Sequence, residues 1–322
     1  MARKLSERQH RVLDARRNQV LNTPDAGEWA LLIANLGRQV QIELESGALL
    51  SCFVRQNLGA LVAGDRVLVS LEDPHNPVII ARADRTSLLF RPDPYHRQKD
   101  IAANITQLVI VTAKLPEFIP YYLDQYLVIA EYFHLSPLIL FNKTDLLDKN
   151  LNQDLKILET LKYYHEQLGY PWLACSALEH QGLEAFNQAL IGHQSVMMGL
   201  SGTGKSSLIN ALFRKPLART QEVSQANLKG QHTTTTAQLY HLPQGGNLID
   251  SPGIREFGVW DLERQAIFQG FKEFHADLGH CQFRDCRHDK EPGCRIQLRL
   301  SDPNALPSAR RDSLFRMLES AR

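Results

Sequence analysis

The stretch MGLSGTGKSSLIN, Met198–Asn210, decides the fold. Its centre fits G-x-x-x-x-G-K-[ST] at every position, with the strand-like SVMM before it and the helix-like SSLINALF after it. A loop of this kind wraps a phosphate: Gly202 and Gly204 let the chain turn so that backbone N–H groups point inward. The helix start adds a dipole favourable to anions. The phosphate-binding set is therefore Gly199, Leu200, Ser201, Gly202, Thr203 and Gly204 in the loop, with Lys205, Ser206 and Ser207 at the helix start. Lys205 brings a compact positive charge to the β- and γ-phosphates, and the Ser206 hydroxyl is suited to ligate Mg²⁺.

Upstream lies LILFNKTDLLD, Leu138–Asp148, in which Asn142, Lys143 and Asp145 form N-K-x-D at the end of an apolar strand. Guanine offers two donors, N1–H and the exocyclic amine, and the Asp145 carboxylate can accept both. Adenine would leave that carboxylate facing an acceptor, which is costly. Lys143 is expected to lie over the base plane and Asn142 to brace the neighbouring loops. After the next apolar strand, CSALEHQGL supplies Ser176 and Ala177, an S-A-L loop whose Ala177 N–H is suited to a guanine oxygen.

Downstream, NLIDSPG places Asp250 forty-five residues after Lys205, as a second Mg²⁺ ligand, direct or through water. Gly253 follows as a contact to the γ-phosphate. Between them, KGQHTTTTAQLY offers Thr234 or Thr235 as the threonine that meets Mg²⁺. Ile254 stands where many GTPases carry a water-orienting Gln, so His232 is the candidate for positioning the attacking water; it could equally hydrogen-bond the loop or touch RNA. All five elements of a GTP site are present, with the base-reading pair ahead of the phosphate loop. A crevice at strand ends depends on where the strands lie in space, so a circularly permuted GTPase domain satisfies the motifs.

The 322 residues allow two or three domains, and 43% apolar with 22% charged residues is an ordinary soluble composition. No apolar run reaches the roughly 18 residues of a membrane span. MARKLSERQH lacks the apolar core of a signal peptide, which points to a cytoplasmic protein with no membrane partner. The net charge of +1 conceals a basic arm at residues 1–28, whose first twenty residues set Arg3, Lys4, Arg8, Arg11, Arg16 and Arg17 against Glu7 and Asp14. Such an arm can neutralise RNA phosphates or can be a solvated terminus.

Residues 29–90 read as short alternating strands punctuated by Gly and Pro, suiting a small antiparallel barrel of the oligonucleotide/oligosaccharide-binding (OB) type, or another small sandwich. Arg38, Phe53, Arg55 and Arg66 could form its nucleic-acid face. RPDPYHRQKD, Arg91–Asp100, reads as a linker. Buried-type strands then alternate with helical segments over residues 91–262, the α/β pattern of a parallel sheet covered on both faces.

Residues 263–322 are helix-rich and carry Cys281, Cys286, His288 and Cys294 as C-x4-C-x-H-x5-C. Three thiolates and an imidazole complete a tetrahedral zinc shell with no open position, which makes the site structural. Redox-sensing thiols are the alternative.

In this order, N-K-T-D, S-A-L, G-L-S-G-T-G-K-S-S, G-Q-H-T-T-T, D-S-P-G-I-R-E-F and the cysteine cluster, the chain resembles the ribosome small-subunit-dependent GTPase A family. These are circularly permuted bacterial GTPases of late small-subunit maturation. The resemblance covers nearly the whole chain, arm and barrel included. It implies three domains and GTP hydrolysis to GDP stimulated by the small ribosomal subunit. It also implies contact with 16S rRNA through the flanking domains, by a monomer. A nucleotide-gated RNA-binding adaptor with incidental hydrolysis, and a zinc- or redox-responsive regulator, are the competing expectations.

Overall fold

The computed structural model describes residues 27–55, 58–92, 97–148, 150–213, 237–250 and 262–321. The basic arm up to residue 26, His232, Thr234, Thr235, Gly253 and Ile254 lie outside the described residues. The chain divides into two compact units, one built mainly from residues up to Ile105 and the other mainly from Thr106 onward.

The first unit begins with β1 (Glu28–Asn35), β2 (Val40–Leu44), β3 (Leu49–Val54), β4 (Arg66–Ser70) and β5 (Val78–Arg82). Their inward positions, Leu32, Val40, Ile42, Cys52, Val67, Val69 and Ile79, form one buried cluster, as side-chain alternation requires. β1 pairs with both β2 and β4, β2 with β3, β3 with β5 and β5 with β4, so the five strands close on themselves. This ring is an OB-type barrel. One pair departs from the antiparallel expectation: β3 and β5 run parallel. A closed ring with an odd number of strands cannot alternate direction throughout, so at least one parallel pair is unavoidable.

Among its described residues, the charged stretch expected as a linker belongs mostly to two strands. Arg91 and Pro92 end β6 (Leu88–Pro92), and Gln98–Asp100 begin β7 (Gln98–Ala103), its antiparallel partner. Leu89, Ile101, Ala102 and Ala103 are buried, and that apolar burial outweighs the charge of the stretch between them. Arg85 ties this hairpin to the barrel, with Nε 2.7 Å from Asp65 and Nη1 2.7 Å from Asp100.

The second unit contains β8 (Gln107–Ala113), α1 (Pro120–Tyr132), β9 (Ser136–Asn142), α2 (Asn152–Glu166), β10 (Trp172–Ala174), α3 (Leu183–Leu190), β11 (Gln194–Met198) and α4 (Lys205–Phe213). Further along the chain come β12 (Gln238–His241) and β13 (Asn247–Asp250), then α5 (Arg264–Gln269), α6 (Arg295–Leu300) and α7 (Ser308–Ser320). The order β10-β9-β8-β11 is parallel throughout. β8 and β9 are buried along most of their length, as strands with helices on both faces must be. Val109, Val111, Leu138, Leu140, Leu208 and Ile209 share one core, so the phosphate-side helix and the base-side strand are packed together.

The C-terminal helices dock on α1 through a buried ionic knot. Arg310 of α7, 2% exposed, donates from Nη1 to Asp124 of α1 (2.5 Å) and from Nε to Glu273 (2.8 Å). Its guanidinium lies 4.1 Å from the centre of the Phe271 ring. Tyr164 of α2 donates to the same Asp124 oxygen. Burial pushes the Asp124 carboxyl up, against the opposing pull of Arg310. Removing one member of such a knot strands the other in a medium that cannot solvate it. Arg310→Ala is therefore expected to destabilise this unit by roughly 3–5 kcal/mol, measured by urea unfolding. A change under about 1 kcal/mol, the range of exposed pairs, would show that the knot contributes little.

Candidate nucleotide and metal sites

The phosphate loop connects β11 to α4. Its glycines are dictated by close neighbours: a Cβ on Gly199 would stand 2.1 Å from the Val111 carbonyl oxygen. One on Gly204, at φ +94°, would stand 2.3 Å from Asn142 Nδ2. Neither position can carry a side chain without displacing backbone or the Asn142 amide. Lys205 Nζ donates to the carbonyls of Gly199 (2.7 Å) and Leu200 (2.8 Å), so its charge is drawn over the loop. Thr203 Oγ1 donates to the Leu200 carbonyl at 3.0 Å and closes the turn. Ser201 and Ser207 are exposed and Ser206 is half-buried at the start of α4.

Asn142, 1% exposed, ends β9 and joins three segments. Its Nδ2 donates to the Thr203 carbonyl of the phosphate loop (2.9 Å). Its Oδ1 accepts the Ala177 N–H at 3.1 Å. The Ala177 N–H expected to face a base oxygen thus has an Asn142 partner. Lys143 follows in the left-handed region, φ 62°, and opens a single 3-10 turn, Thr144–Leu146. The exposed Asp145 carboxylate accepts from Ser176 Oγ at 2.5 Å, and Thr144 N–H donates to the Cys175 carbonyl at 3.1 Å. The structure therefore brings Asn142, Asp145, Ser176, Ala177 and the phosphate loop to one end of the parallel strands, where open α/β sheets bind ligands. Asp250 ends β13 and is half-buried.

Two further side chains reach the residues just after N-K-x-D: Lys114, directly after β8, bonds the Leu146 carbonyl, and Asp154, in the first turn of α2, accepts the Asp148 N–H. Neither belongs to a motif, and forty positions separate them. A lysine immediately after an apolar strand was their one local signal.

The four residues of the cysteine cluster converge: their ligand atoms all lie within 4.8 Å of one another. Cys281 and Cys294 sulfurs are 3.9 Å apart, and each is 3.5 Å from His288 Nδ1. Thiolates about 2.3 Å from one tetrahedral centre stand about 3.8 Å apart, so the donor set fits a tetrahedral soft-ligand cation. Burial holds the His288 imidazole below its ordinary value, keeping it in the neutral form that a ligand needs.

The surrounding residues are arranged to serve these four. The Arg295 N–H donates to Cys281 Sγ (3.4 Å) and the Gln297 N–H to Cys294 Sγ (3.4 Å), which also caps α6. Gln297 Nε2 holds the carbonyl of His288, whose own backbone is left-handed at φ 60°. Glu291 accepts the N–H groups of Arg287 and Asp289 (2.9 Å each), which with other backbone donors hold its carboxyl down at about 2. Sequence spacing alone did not point to Glu291 or Gln297.

The RsgA GTPase family is matched over residues 82–260. The small ribosomal subunit biogenesis GTPase RsgA of Ectopseudomonas mendocina is 45% identical over 305 residues, which cover 94% of this chain and 87% of that protein. The protein of the same name from Hahella chejuensis is 43% identical over 299 residues, covering 92% and 85%. Among solved structures, YjeQ from Thermotoga maritima superposes with a TM-score of 0.70 at 30% identity, over 91% of this chain and 97% of that one. YloQ, a circularly permuted GTPase, shares the fold with a TM-score of 0.68 at 21% identity, over 91% and 94%.

Proposed function

The chain belongs to the RsgA GTPase family, and on that premise we propose that it is a GTPase of small ribosomal subunit biogenesis, binding the immature subunit with GTP and leaving after hydrolysis. The observation that carries this is Asn142. One buried amide connects the N-K-x-D strand end, the Ser176–Ala177 loop and the phosphate loop, which supports reading the permuted motifs as one nucleotide site.

In that site Asp145 reads the guanine edge, Lys143 lies along the base and Ser176 orients the Asp145 carboxylate. The loop from Gly199 to Gly204 presents N–H groups to the phosphates, with Lys205 countering charge as the γ-phosphate bond breaks. Ser206 and Asp250 are the residues to hold Mg²⁺, which when bound neutralises the phosphate oxygens and orients them. Thr234 or Thr235 completes the metal's surroundings, Gly253 senses the γ-phosphate and His232 positions water. Phosphoryl transfer of this kind needs positioning and charge stabilisation more than covalent help from the protein.

The C-terminal cluster of Cys281, Cys286, His288 and Cys294 holds one structural zinc in this proposal. The arm and barrel contact 16S rRNA, and the protein acts as a cytoplasmic monomer. Supporting the barrel's part, Arg38, Phe53, Arg55 and Arg66 are all exposed, as a backbone-tracking and base-stacking face requires.

The test is the GTP hydrolysis rate of the purified protein with and without purified small subunits. Stimulation by about a hundredfold or more is expected if the subunit supplies or orders transition-state contacts, the scale on which trans-acting groups accelerate GTPases being 10³–10⁵. GTP-dependent subunit binding with no stimulation would instead favour the adaptor, which the apolar Ile254 after Gly253 also suits.

A further inference from the structure

The structure assigns Lys114 and Asp154 as positioning residues that hold the turn Lys143–Leu146 in register for guanine, an assignment that rests on Asn142–Asp145 being the base reader. The turn needs holding. It opens on a non-glycine residue in the left-handed region and is one turn of 3-10 helix with no buried residue, so packing does not fix it.

On its upstream side Asn142 and the Thr144 N–H anchor it, as described above. On its downstream side both anchors come from outside the motif. Lys114 Nζ donates to the Leu146 carbonyl, the residue after Asp145, at 3.1 Å. Two residues beyond the turn, the Asp154 carboxylate accepts the Asp148 N–H at 2.7 Å and so fixes the chain as it leaves. The two anchors are joined to each other, Lys114 Nζ lying 2.8 Å from the same Asp154 oxygen.

The lysine side chain is 19% exposed and the carboxylate 1%, so water competes weakly for this pair. Asp154 also sits in the first turn of α2, where a negative charge meets the helix dipole favourably. The hydrogen bond from Lys114 and that from Asp148 keep its carboxyl below the usual range, so it stays ionised at neutral pH. β8 and α2 thus clamp the far end of the turn whose middle residue is Asp145.

A carboxylate that reads two donors at once tolerates little displacement, because both hydrogen bonds must stay short and linear together. If the downstream anchors are lost, contacts to phosphate survive, while the two-point reading of guanine deteriorates. Hypoxanthine lacks the exocyclic amine, so IDP already forgoes one of the two hydrogen bonds and loses less.

The experiment is GDP and IDP binding by Lys114→Met, Lys114→Arg and Asp154→Asn in the full chain, with thermal unfolding of each. Loss of one charge-assisted hydrogen bond predicts about a tenfold fall in GDP affinity. The fall in IDP affinity is expected to be much smaller, so that the preference for GDP contracts, with partial recovery in Lys114→Arg. Equal loss for both nucleotides, or an unchanged preference in variants whose unfolding temperature is near that of the parent, overturns the assignment. Should Lys114→Met not fold, Asp154→Asn, which preserves shape, decides on the same ratio. Asp145→Asn separates the two levels: it should lose GDP and gain XDP, since an amide can donate where xanthine presents an oxygen. If it binds GDP like the parent, the base-reader premise fails; if it switches while the Lys114 and Asp154 variants keep their preference, only the positioning role fails.

Discussion

Lys205→Ala is expected to lower GTP hydrolysis by a factor of about 10²–10³, in both the basal and the subunit-stimulated reaction. The side chain ends within hydrogen-bond distance of the Gly199 and Leu200 carbonyls, which holds its ammonium over the loop. A charge already in place costs no reorganisation as negative charge moves on to the leaving oxygen, and that is where a fixed dipole or cation lowers a barrier most. Single-turnover rates at saturating GTP, with and without small subunits, measure the effect. Retention of more than about a tenth of the parent rate would mean that the charge is not aimed at the breaking bond, the expected loss being tenfold larger or more. Truncation leaves the loop's glycines and the Thr203 bonds in place, so the variant should fold with an unchanged far-ultraviolet spectrum.

Metal removal is the second large effect. Between His280 and Cys294, His288 and Cys294 alone are buried, and Phe283 is 44% exposed. So little apolar area cannot offset the entropy of ordering the segment. With the proposed zinc bound, its order would rest on the four ligands and the N–H groups that brace their sulfurs. Structural zinc sites bind with apparent free energies of about 10–16 kcal/mol, and that binding is folding free energy.

Stripping the metal with a strong chelator is therefore expected to release one equivalent of zinc and to abolish amide-exchange protection from Cys281 to Cys294. Protection in β8, β9 and α4, which share their own core, should persist. Unaltered protection across the cluster would refute the structural role. Reversible loss on mild thiol oxidation, with a change in hydrolysis and the fold intact, would favour a sensor. Adjacent thiols make the comparison informative: backbone N–H groups and neighbouring thiols bring Cys281 below the usual thiol range in spite of burial, while burial and its neighbours push Cys286 up to about 12.

What the sequence determined by itself was whatever a ligand or a tight turn demands of consecutive residues. Phosphate needs N–H groups with glycine between them, guanine needs a carboxylate at a strand end, and a soft metal needs thiolates at short spacing; each demand is met by neighbours in the chain. The order of those motifs was enough to imply permutation, because a strand-end crevice is indifferent to which strand comes first. Tertiary structure decided what depends on distant segments meeting. The parallel β3–β5 pair follows from closing an odd ring, which no single strand reveals. RPDPYHRQKD forms parts of two strands because its flanks bury Leu89, Ile101 and Ala102, a long-range gain that overrides local charge and proline content. Lys114, Asp154 and Arg310 look in sequence like any surface charge. Their ion-pair partners stand 37 to 186 positions away, and only folding, by withdrawing them from water, gives those charges a fixed partner and a consequence.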